Sequence, residues 1–124
     1  VGAVTALTNG LGAHAVVVCA ANNKAYEQGI DMLRFAGRLV CLGVPEGDPL
    51  PISSAWPSTM ISKSLEIVGS AVGTRNEAIE TMDFAARGIV KTHVRVEKMN
   101  KLTEVFEDMH TGKLQGRVVI DLTD

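Results

Sequence analysis

The sequence predicts an α/β fold organised around a parallel β-sheet. Continuous apolar runs rich in β-branched residues recur along the chain, as is typical of strands that are buried on both faces. Segments with apolar residues at helical spacing separate these runs, and glycine or proline marks many of the transitions. Strands that alternate with helices define the α/β class.

The composition restricts the classes of partner. Of the 124 residues, 46% are hydrophobic and 4% are aromatic, which suits one aliphatic core. The net charge is -2 without a basic stripe, so no nucleic-acid partner is expected. No apolar stretch approaches the roughly 20 residues that span a bilayer, and no leader opens the chain, so we expect no membrane partner. Cys19 and Cys41 lie inside apolar runs, which predicts buried thiols and a reducing, cytoplasmic location.

The first predicted elements are a helix over residues 1–7, which ends towards Asn9 and Gly10, and a strand over residues 15–20. The chain is therefore expected to begin within an element. Residues 10–15 match the G-x-G-x-x-A pattern of a phosphate-binding loop. A phosphate loop follows a strand and opens a helix, whereas these glycines follow a helix and lead into a strand. We predict a helix-to-strand turn.

The next predicted unit is a helix followed by a second strand over residues 38–44. Asn22 or Asn23 can cap the helix, and Gly37 is expected to end it in a left-handed conformation. The predicted apolar face of this helix consists of Tyr26, Ile30 and Leu33. Pro45 closes the strand and begins a polar loop. A strand, helix and strand in this order form a parallel, right-handed unit.

Residues 65–72 are predicted to form a third strand, after an irregular connection over residues 49–65 of the kind often used for function. Thr74 and Glu77 have the spacing of a capping box, which opens a helix that ends before Gly88. The apolar positions of this helix are Ala78, Ile79, Met82, Ala85 and Ala86.

The C-terminal segment is predicted to contain a half-exposed strand over residues 92–96, a helix, and a last strand over residues 117–122. Asn100 is expected to cap the helix and Gly112 to end it. The apolar face of the helix consists of Leu102, Val105, Phe106 and Met109.

No catalytic or metal site is expected within this chain. The histidines lie in different predicted elements, without carboxylates or cysteines at metal-ligand spacing, and they are His14, His93 and His110. The loop serines lack the G-x-S-x-G elbow of a hydrolase nucleophile, and they are Ser53, Ser54 and Ser58.

Small residues stand at the carboxyl ends of the three apolar strands, at residues 19–21, 43–44 and 70–72. An open parallel sheet binds ligands in the crevice beyond these ends, and small residues leave room for a flat ring. Small residues also end strands simply to make turns. The spacing alone supports both interpretations.

Three sequence segments resemble a known family. Residues 67–75, 82–91 and 112–119 are similar to the corresponding segments of zinc-dependent medium-chain alcohol dehydrogenases, and this is a specific match. The likeness runs from about Gly12 to Leu122 and is closest to the microbial, tetramer-forming branch. It implies that residues 1–90 are the second half of a doubly wound, NAD(P)-binding Rossmann sheet. Residues 91–124 would then be a helix-strand segment that returns to a catalytic domain.

The resemblance implies eight cofactor-binding residues: Cys19, Ala20, Leu42, Gly43, Val44, Ser70, Val72 and Arg117. Cys19 and Ala20 would line the adenosine side of the crevice. Leu42, Gly43 and Val44 would face the nicotinamide. The main chain of Ser70 and Val72 would hold the carboxamide. The arginine would reach the pyrophosphate, which suits its forked donor geometry.

The family's zinc ligands and phosphate-binding glycine loop belong upstream of Val1, so zinc is expected only in the parent enzyme. That enzyme would transfer hydride between a primary or secondary alcohol and NAD, with a small alcohol or aldehyde as its substrate. NADP is not excluded, because the selecting residue also lies upstream. Two alternatives remain: a zinc-free quinone or enoyl reductase of the same superfamily, and a non-catalytic nucleotide-binding module.

The fold of the family also predicts which strands form the two edges of the sheet. In the strand order 3-2-1-4-5-6, the first strand here would be the fourth, and its outer edge would lack its neighbour. A bare apolar edge favours association, so the isolated polypeptide is expected to be unstable or to associate. The strand at residues 65–72 resembles the edge that pairs with a twofold mate, which implies a homo-oligomer.

Overall fold

The computed structural model describes residues 1–123, which pack as two units: Val1–Val72, and a second that begins at Gly73. Each unit has its own sheet, with three parallel strands in the first and two in the second. The predicted α/β class is confirmed. Among residues 1–123, no helix is both long enough and apolar enough to span a membrane.

The first unit alternates helices and strands throughout. Its elements are α1 (Gly2–Leu7), β1 (Ala13–Val18), α2 (Asn23–Asp31), β2 (Leu33–Cys41), α3 (Pro57–Lys63) and β3 (Glu66–Gly69). The strands lie side by side in the order β1-β2-β3, with Val17 opposite Val40 and Val40 opposite Val68. As predicted, β1 and β3 are the edge strands. The third strand is shorter than its apolar run.

The glycines before β1 form the predicted helix-to-strand turn. The Thr8 hydroxyl donates to the Val4 carbonyl at 2.7 Å and accepts from the Gly12 N–H at 2.9 Å. Gly10 and Gly12 both have positive φ, 83° and 90°. A Cβ on Gly12 would lie 2.7 Å from the Met32 carbonyl oxygen, so only glycine fits where the turn passes the end of α2.

Helix α2 begins at the cap of Asn22, whose side chain accepts from the Lys24 N–H at 2.7 Å. The helix ends six residues before Gly37, so the prediction that Gly37 terminates it in a left-handed conformation is wrong. Ala36 has the positive φ instead, 55°, inside a bulge of β2. Gly37 is needed for space, because a Cβ there would lie 2.8 Å from the Arg34 carbonyl oxygen.

The core lies between α2 and the sheet. It consists of Val18, Tyr26, Ile30, Leu33, Leu39 and Leu65. Val16 packs against this cluster, whereas Val17 points to the other face and is 57% exposed. The prediction that β1 is buried on both faces is therefore wrong, because Val17 remains exposed among the described residues. Cys19 is exposed and Cys41 half-buried, so the predicted burial of Cys19 is also wrong.

Part of the connection predicted to be irregular is helix α3. Pro57 stands in its first turn, and Ser64 ends it with a φ of 49°. The Lys63 ammonium donates to the Leu33 carbonyl at 3.1 Å and fixes the helix to β2. With only seven residues, the helix is too short to show a clear apolar periodicity.

The second unit contains α4 (Arg75–Ala86), β4 (Val94–Lys98), a 3₁₀ turn (Met99–Lys101), α5 (Leu102–His110) and β5 (Arg117–Asp121). Strands β4 and β5 are parallel, and α5 connects them. The prediction that Asn100 caps α5 is wrong, because Asn100 lies inside the 3₁₀ turn. Gly112 ends α5 as predicted, with a φ of 69°. Of the predicted apolar face of α5, only Val105 is buried.

The capping box of α4 is confirmed. The Thr74 hydroxyl accepts from the Glu77 N–H at 3.3 Å, and the Glu77 carboxylate accepts from the Thr74 N–H at 2.5 Å. These bonds hold the pKa of Glu77 below its usual value. The apolar positions of α4 are exposed, with Ile79 at 60% and Met82 at 69%. The capping box thus determines where α4 begins, and the apolar side chains of the helix remain exposed among the described residues.

Candidate cofactor-binding site

A cleft of about 590 Å³ opens at the carboxyl ends of β2 and β3, and we refer to it as the strand-end cleft. Its position is the one that an open parallel sheet offers to a ligand. The cleft is lined by Asn23, Tyr26, Cys41, Leu42, Gly43, Val44, Pro45, Leu50, Ile52, Gly69, Ser70 and Ala71. Most of these residues are apolar or small, as in sites that take a flat organic ring.

The end of β2 is held tightly against the end of β1. The N–H groups of Leu42 and Gly43 both donate to the Val18 carbonyl, at 3.1 and 2.9 Å. A Cβ on Gly43 would lie 2.6 Å from the Ala20 carbonyl carbon and 2.8 Å from that of Cys19. Any side chain at position 43 would therefore push the two strand ends apart.

Tyr26 connects α2 to this segment. The residue is 6% exposed, and its hydroxyl donates to the Gly43 carbonyl. Burial, with smaller contributions from Cys41 and Cys19, raises the pKa of Tyr26, so the phenol stays protonated and remains a donor. Burial also raises the pKa of the Cys41 thiol, which favours its neutral form on the cleft wall.

The other wall of the cleft continues β3 beyond its last paired residue. The Ser70 N–H donates to the Cys41 carbonyl at 2.9 Å, which extends the ladder by one bond. Gly69 leaves its side-chain position open, since a Cβ there would have no neighbour within 4 Å. Two residues later, Val72 has a φ of 33° and is fully exposed.

The structure brings together half of the predicted cofactor residues. Four line the strand-end cleft: Leu42, Gly43, Val44 and Ser70. Cys19, Ala20 and Val72 do not line it, although the main chain of Cys19 and Ala20 lies close to Gly43. Arg117 begins β5 in the second unit, where its N–H donates to the His93 carbonyl at 2.8 Å. The roles assigned to these eight residues stay predictions.

Sequence reasoning missed the contribution of Tyr26 to this site. The helical pattern assigned it to the core, but a buried tyrosine hydroxyl needs a polar partner. The nearest strand end is the place where main-chain groups without a ladder partner occur. Leu50 and Ile52 complete the cleft, but these loop residues belong to no recognisable sequence motif and were therefore not predicted.

The described residues offer no metal centre. Within residues 1–123, no three histidines, cysteines or acidic residues lie close enough together to hold a metal ion. His14 instead pairs with the Arg34 guanidinium, with 2.8 Å between the nitrogens. What this chain can supply is a shaped, largely apolar cleft with main-chain polar groups at its edge.

Comparisons with known proteins agree with this fold. The model of the zinc-binding dehydrogenase family matches residues 1–87. Alcohol dehydrogenase 2 of Emericella nidulans is 60% identical over 116 residues, which are 94% of this chain and 32% of that protein. An alcohol dehydrogenase of a Moraxella species is 43% identical over 112 residues, 90% of this chain and 32% of that protein. The crystal structure of an alcohol dehydrogenase from the archaeon Aeropyrum pernix superposes with a TM-score of 0.83 at 25% identity, over 96% of this chain and 33% of that one.

The parallel sheet with its strand-end cleft is the second half of a Rossmann-type dehydrogenase sheet. The chain belongs to the zinc-binding dehydrogenase family. It spans about a third of the length of the curated relatives that it matches. The predicted family and fold are thus confirmed.

Proposed function

We propose that this chain is the C-terminal part of an alcohol dehydrogenase, in which the strand-end cleft receives the nicotinamide end of NAD. The whole enzyme would transfer hydride between a primary or secondary alcohol and NAD, with NADP as the other candidate cofactor. The observation that carries the proposal is the cleft itself, because four of the residues that the family resemblance assigns to the cofactor line one cavity.

The residues of the cleft fit a flat, partly polar ring. Its volume of about 590 Å³ lies within the usual range for small-molecule sites. The absence of a side chain at Gly69 leaves room for a ring beside the end of β3, whereas Gly43 allows the ends of β1 and β2 to pack closely together. Leu50 and Ile52 add apolar surface, which lowers the water content around a bound ligand. The bound cofactor supplies the hydride acceptor, and this chain binds and orients its ring.

Polar groups at the cleft edge could fix which face of the ring is presented. The Ser70 N–H is already used by the Cys41 carbonyl, so the main-chain groups that follow it are the ones free to hold a carboxamide. We assign this role to the Ser70 carbonyl, which belongs to a residue that lines the cleft, and to the Val72 N–H two residues further along the chain. Cys19 and Ala20 would lie on the adenosine side, and Arg117 would reach the pyrophosphate.

Residues 1–123 hold no group of side chains that fits a catalytic zinc site, so we place the zinc ligands in the remainder of a longer enzyme. In that enzyme, residues 1–90 would belong to the cofactor domain and residues 91–124 would return to the catalytic domain. Strand β3 is an exposed edge, with Ile67 and Val68 both 40% exposed, which supports pairing of two subunits there. We propose a cytoplasmic homo-oligomer.

The test uses the full-length protein and the variant Gly69→Val. Gly69 lines the cleft, and a Cβ there would meet no described atom within 4 Å, so we expect the valine side chain to occupy space assigned to the ring. The Kd for NADH, measured by its fluorescence, should rise at least about tenfold, and NAD reduction by alcohols should fall. Gly2→Val is the matched control, because position 2 is equally open and lies in α1, outside the cleft.

Either of two results would contradict the proposal. One is a folded Gly69→Val variant that binds NADH like the wild type. The other is a wild-type protein that neither binds NADH nor reduces NAD with any alcohol. If the purified protein contains no zinc and reduces quinones or enones, that result would favour the alternative of a zinc-free reductase.

A further inference from the structure

The main chain at Gly43 is anchored on both sides. Its N–H donates to the Val18 carbonyl at 2.9 Å, and its carbonyl accepts from the Tyr26 hydroxyl. The first bond continues the contact between β1 and β2, whereas the second comes from a helix side chain. Tyr26 therefore fixes a peptide group that no strand partner holds.

This second bond determines the direction of the next N–H group. A trans peptide is planar, and its C=O and N–H point in opposite directions. The structure has no cis peptide among residues 1–123. Because the Gly43 carbonyl points to Tyr26, the Val44 N–H points away from it. Within the described chain this N–H has no hydrogen-bond partner, and Val44 is 81% exposed on the cleft wall.

We propose that Tyr26 is a positioning residue whose hydroxyl orients the Gly43–Val44 peptide, so that the Val44 N–H is presented to the nicotinamide portion of the cofactor. The inference rests on the proposed function, since it assigns a ligand to the same cleft. Phenylalanine would fill the same space in the core without fixing the peptide. The raised pKa of Tyr26 keeps the donor in place at neutral and mildly alkaline pH.

The test compares two ligands in the full-length protein with the substitution Tyr26→Phe. The Kd for NADH should rise about 3- to 10-fold, the effect of one net hydrogen bond. The Kd for ADP-ribose, which lacks the nicotinamide ring, should stay unchanged. A change confined to the ligand with the ring separates a positioning role from a general loss of structure.

Ser54→Ala is the matched control. The Ser54 hydroxyl donates to the Glu27 carbonyl at 2.8 Å, so this variant also removes one hydroxyl bond to the main chain beside α2. Ser54 does not line the strand-end cleft. Neither ligand should bind differently to this variant. Tyr26→Met, which also lacks the hydroxyl, should reproduce the Tyr26→Phe result and serves if the first variant does not fold.

The outcomes separate this inference from the proposed function. If the wild type binds NADH and the Tyr26 variants bind it equally well, only the role of Tyr26 is overturned. Equal weakening of NADH and ADP-ribose overturns it too, because the effect would then be structural. A wild-type protein that binds ADP-ribose but gains nothing from the nicotinamide ring overturns both proposals.

Discussion

Replacing Gly29 by alanine should destabilise the protein, and the loss should reverse once Leu39 is shortened to alanine. A Cβ on Gly29 would lie 2.7 Å from the Leu39 Cδ1, closer than such atoms approach. The side chains of Val18 and Val16 would lie 3.4 and 3.5 Å away, close to ordinary contact. Leu39 has no exposed surface, so its methyl group cannot move into solvent. The clash must be absorbed by the core.

Two opposing effects set the magnitude. Overpacking a core costs about 1–3 kcal/mol, whereas alanine in place of glycine stabilises a helix interior by about 1 kcal/mol. We expect a net loss of about 1 kcal/mol for Gly29→Ala. Leu39→Ala alone should cost about 2–5 kcal/mol, because it leaves a cavity beside α2. In that background the new methyl group has room, so Gly29→Ala should stabilise by about 1 kcal/mol.

Urea unfolding of the full-length protein without cofactor, followed by circular dichroism, measures this cycle. The two substitutions should be coupled by about 1–3 kcal/mol. Gly2→Ala is the control, because a Cβ there meets nothing within 4 Å, and it should add to Leu39→Ala within about 0.5 kcal/mol. If Gly29→Ala costs the same in both backgrounds, the Gly29–Leu39 contact is not what restricts this position to glycine.

Two further predictions concern backbone positions. Gly12→Ala should lower the free energy of unfolding by at least about 2 kcal/mol, because position 12 combines a φ of 90° with a contact of 2.7 Å between the new Cβ and the Met32 carbonyl oxygen. Gly10→Ala should cost only about 1 kcal/mol, because position 10 has a similar φ of 83° but open space around it. Equal urea midpoints for the two variants would refute the steric argument. The stability contributed by Glu77 should be present above its usual pKa of 4.5 and be lost as the pH falls through its lowered folded-state pKa, since hydrogen bonds from Thr74 favour the carboxylate. Amide exchange in α4 measures this, and a profile that Glu77→Gln leaves unchanged would rule it out.

The sequence predicted those local features that are encoded by a few neighbouring residues. The capping box of Thr74 and Glu77 and the turn at Gly12 form as expected, because their hydrogen bonds link residues three or four positions apart. The strand order also follows from the sequence, since consecutive parallel strands joined by right-handed connections tend to lie side by side. Short-range chemistry and simple topology were sufficient for these elements.

The errors arise where a residue's role depends on distant contacts. Gly37 was expected to stop a helix, but the chain leaves α2 earlier and pairs with the distant strand β1, so Gly37 lies in the irregular part of β2. The same limit applies to the cleft: the bond from Tyr26 to Gly43 joins residues 17 positions apart, and no spacing rule indicates it. The position of the strand-end cleft could be predicted from the ends of the strands, whereas its hydrogen bonds could be seen only in the folded structure.

The failed burial predictions bear on the proposal that this chain is part of a longer enzyme. Val17 belongs to an apolar run without alternation, yet only its neighbours on the α2 side are covered. A sheet face that meets water normally carries polar residues, so an apolar outer face indicates a second covering layer. The curated relatives are about three times as long as this chain. We therefore expect the remainder of a longer protein to cover this face and to supply the missing neighbour of β1, in agreement with the proposal that the strand-end cleft is one half of a cofactor crevice.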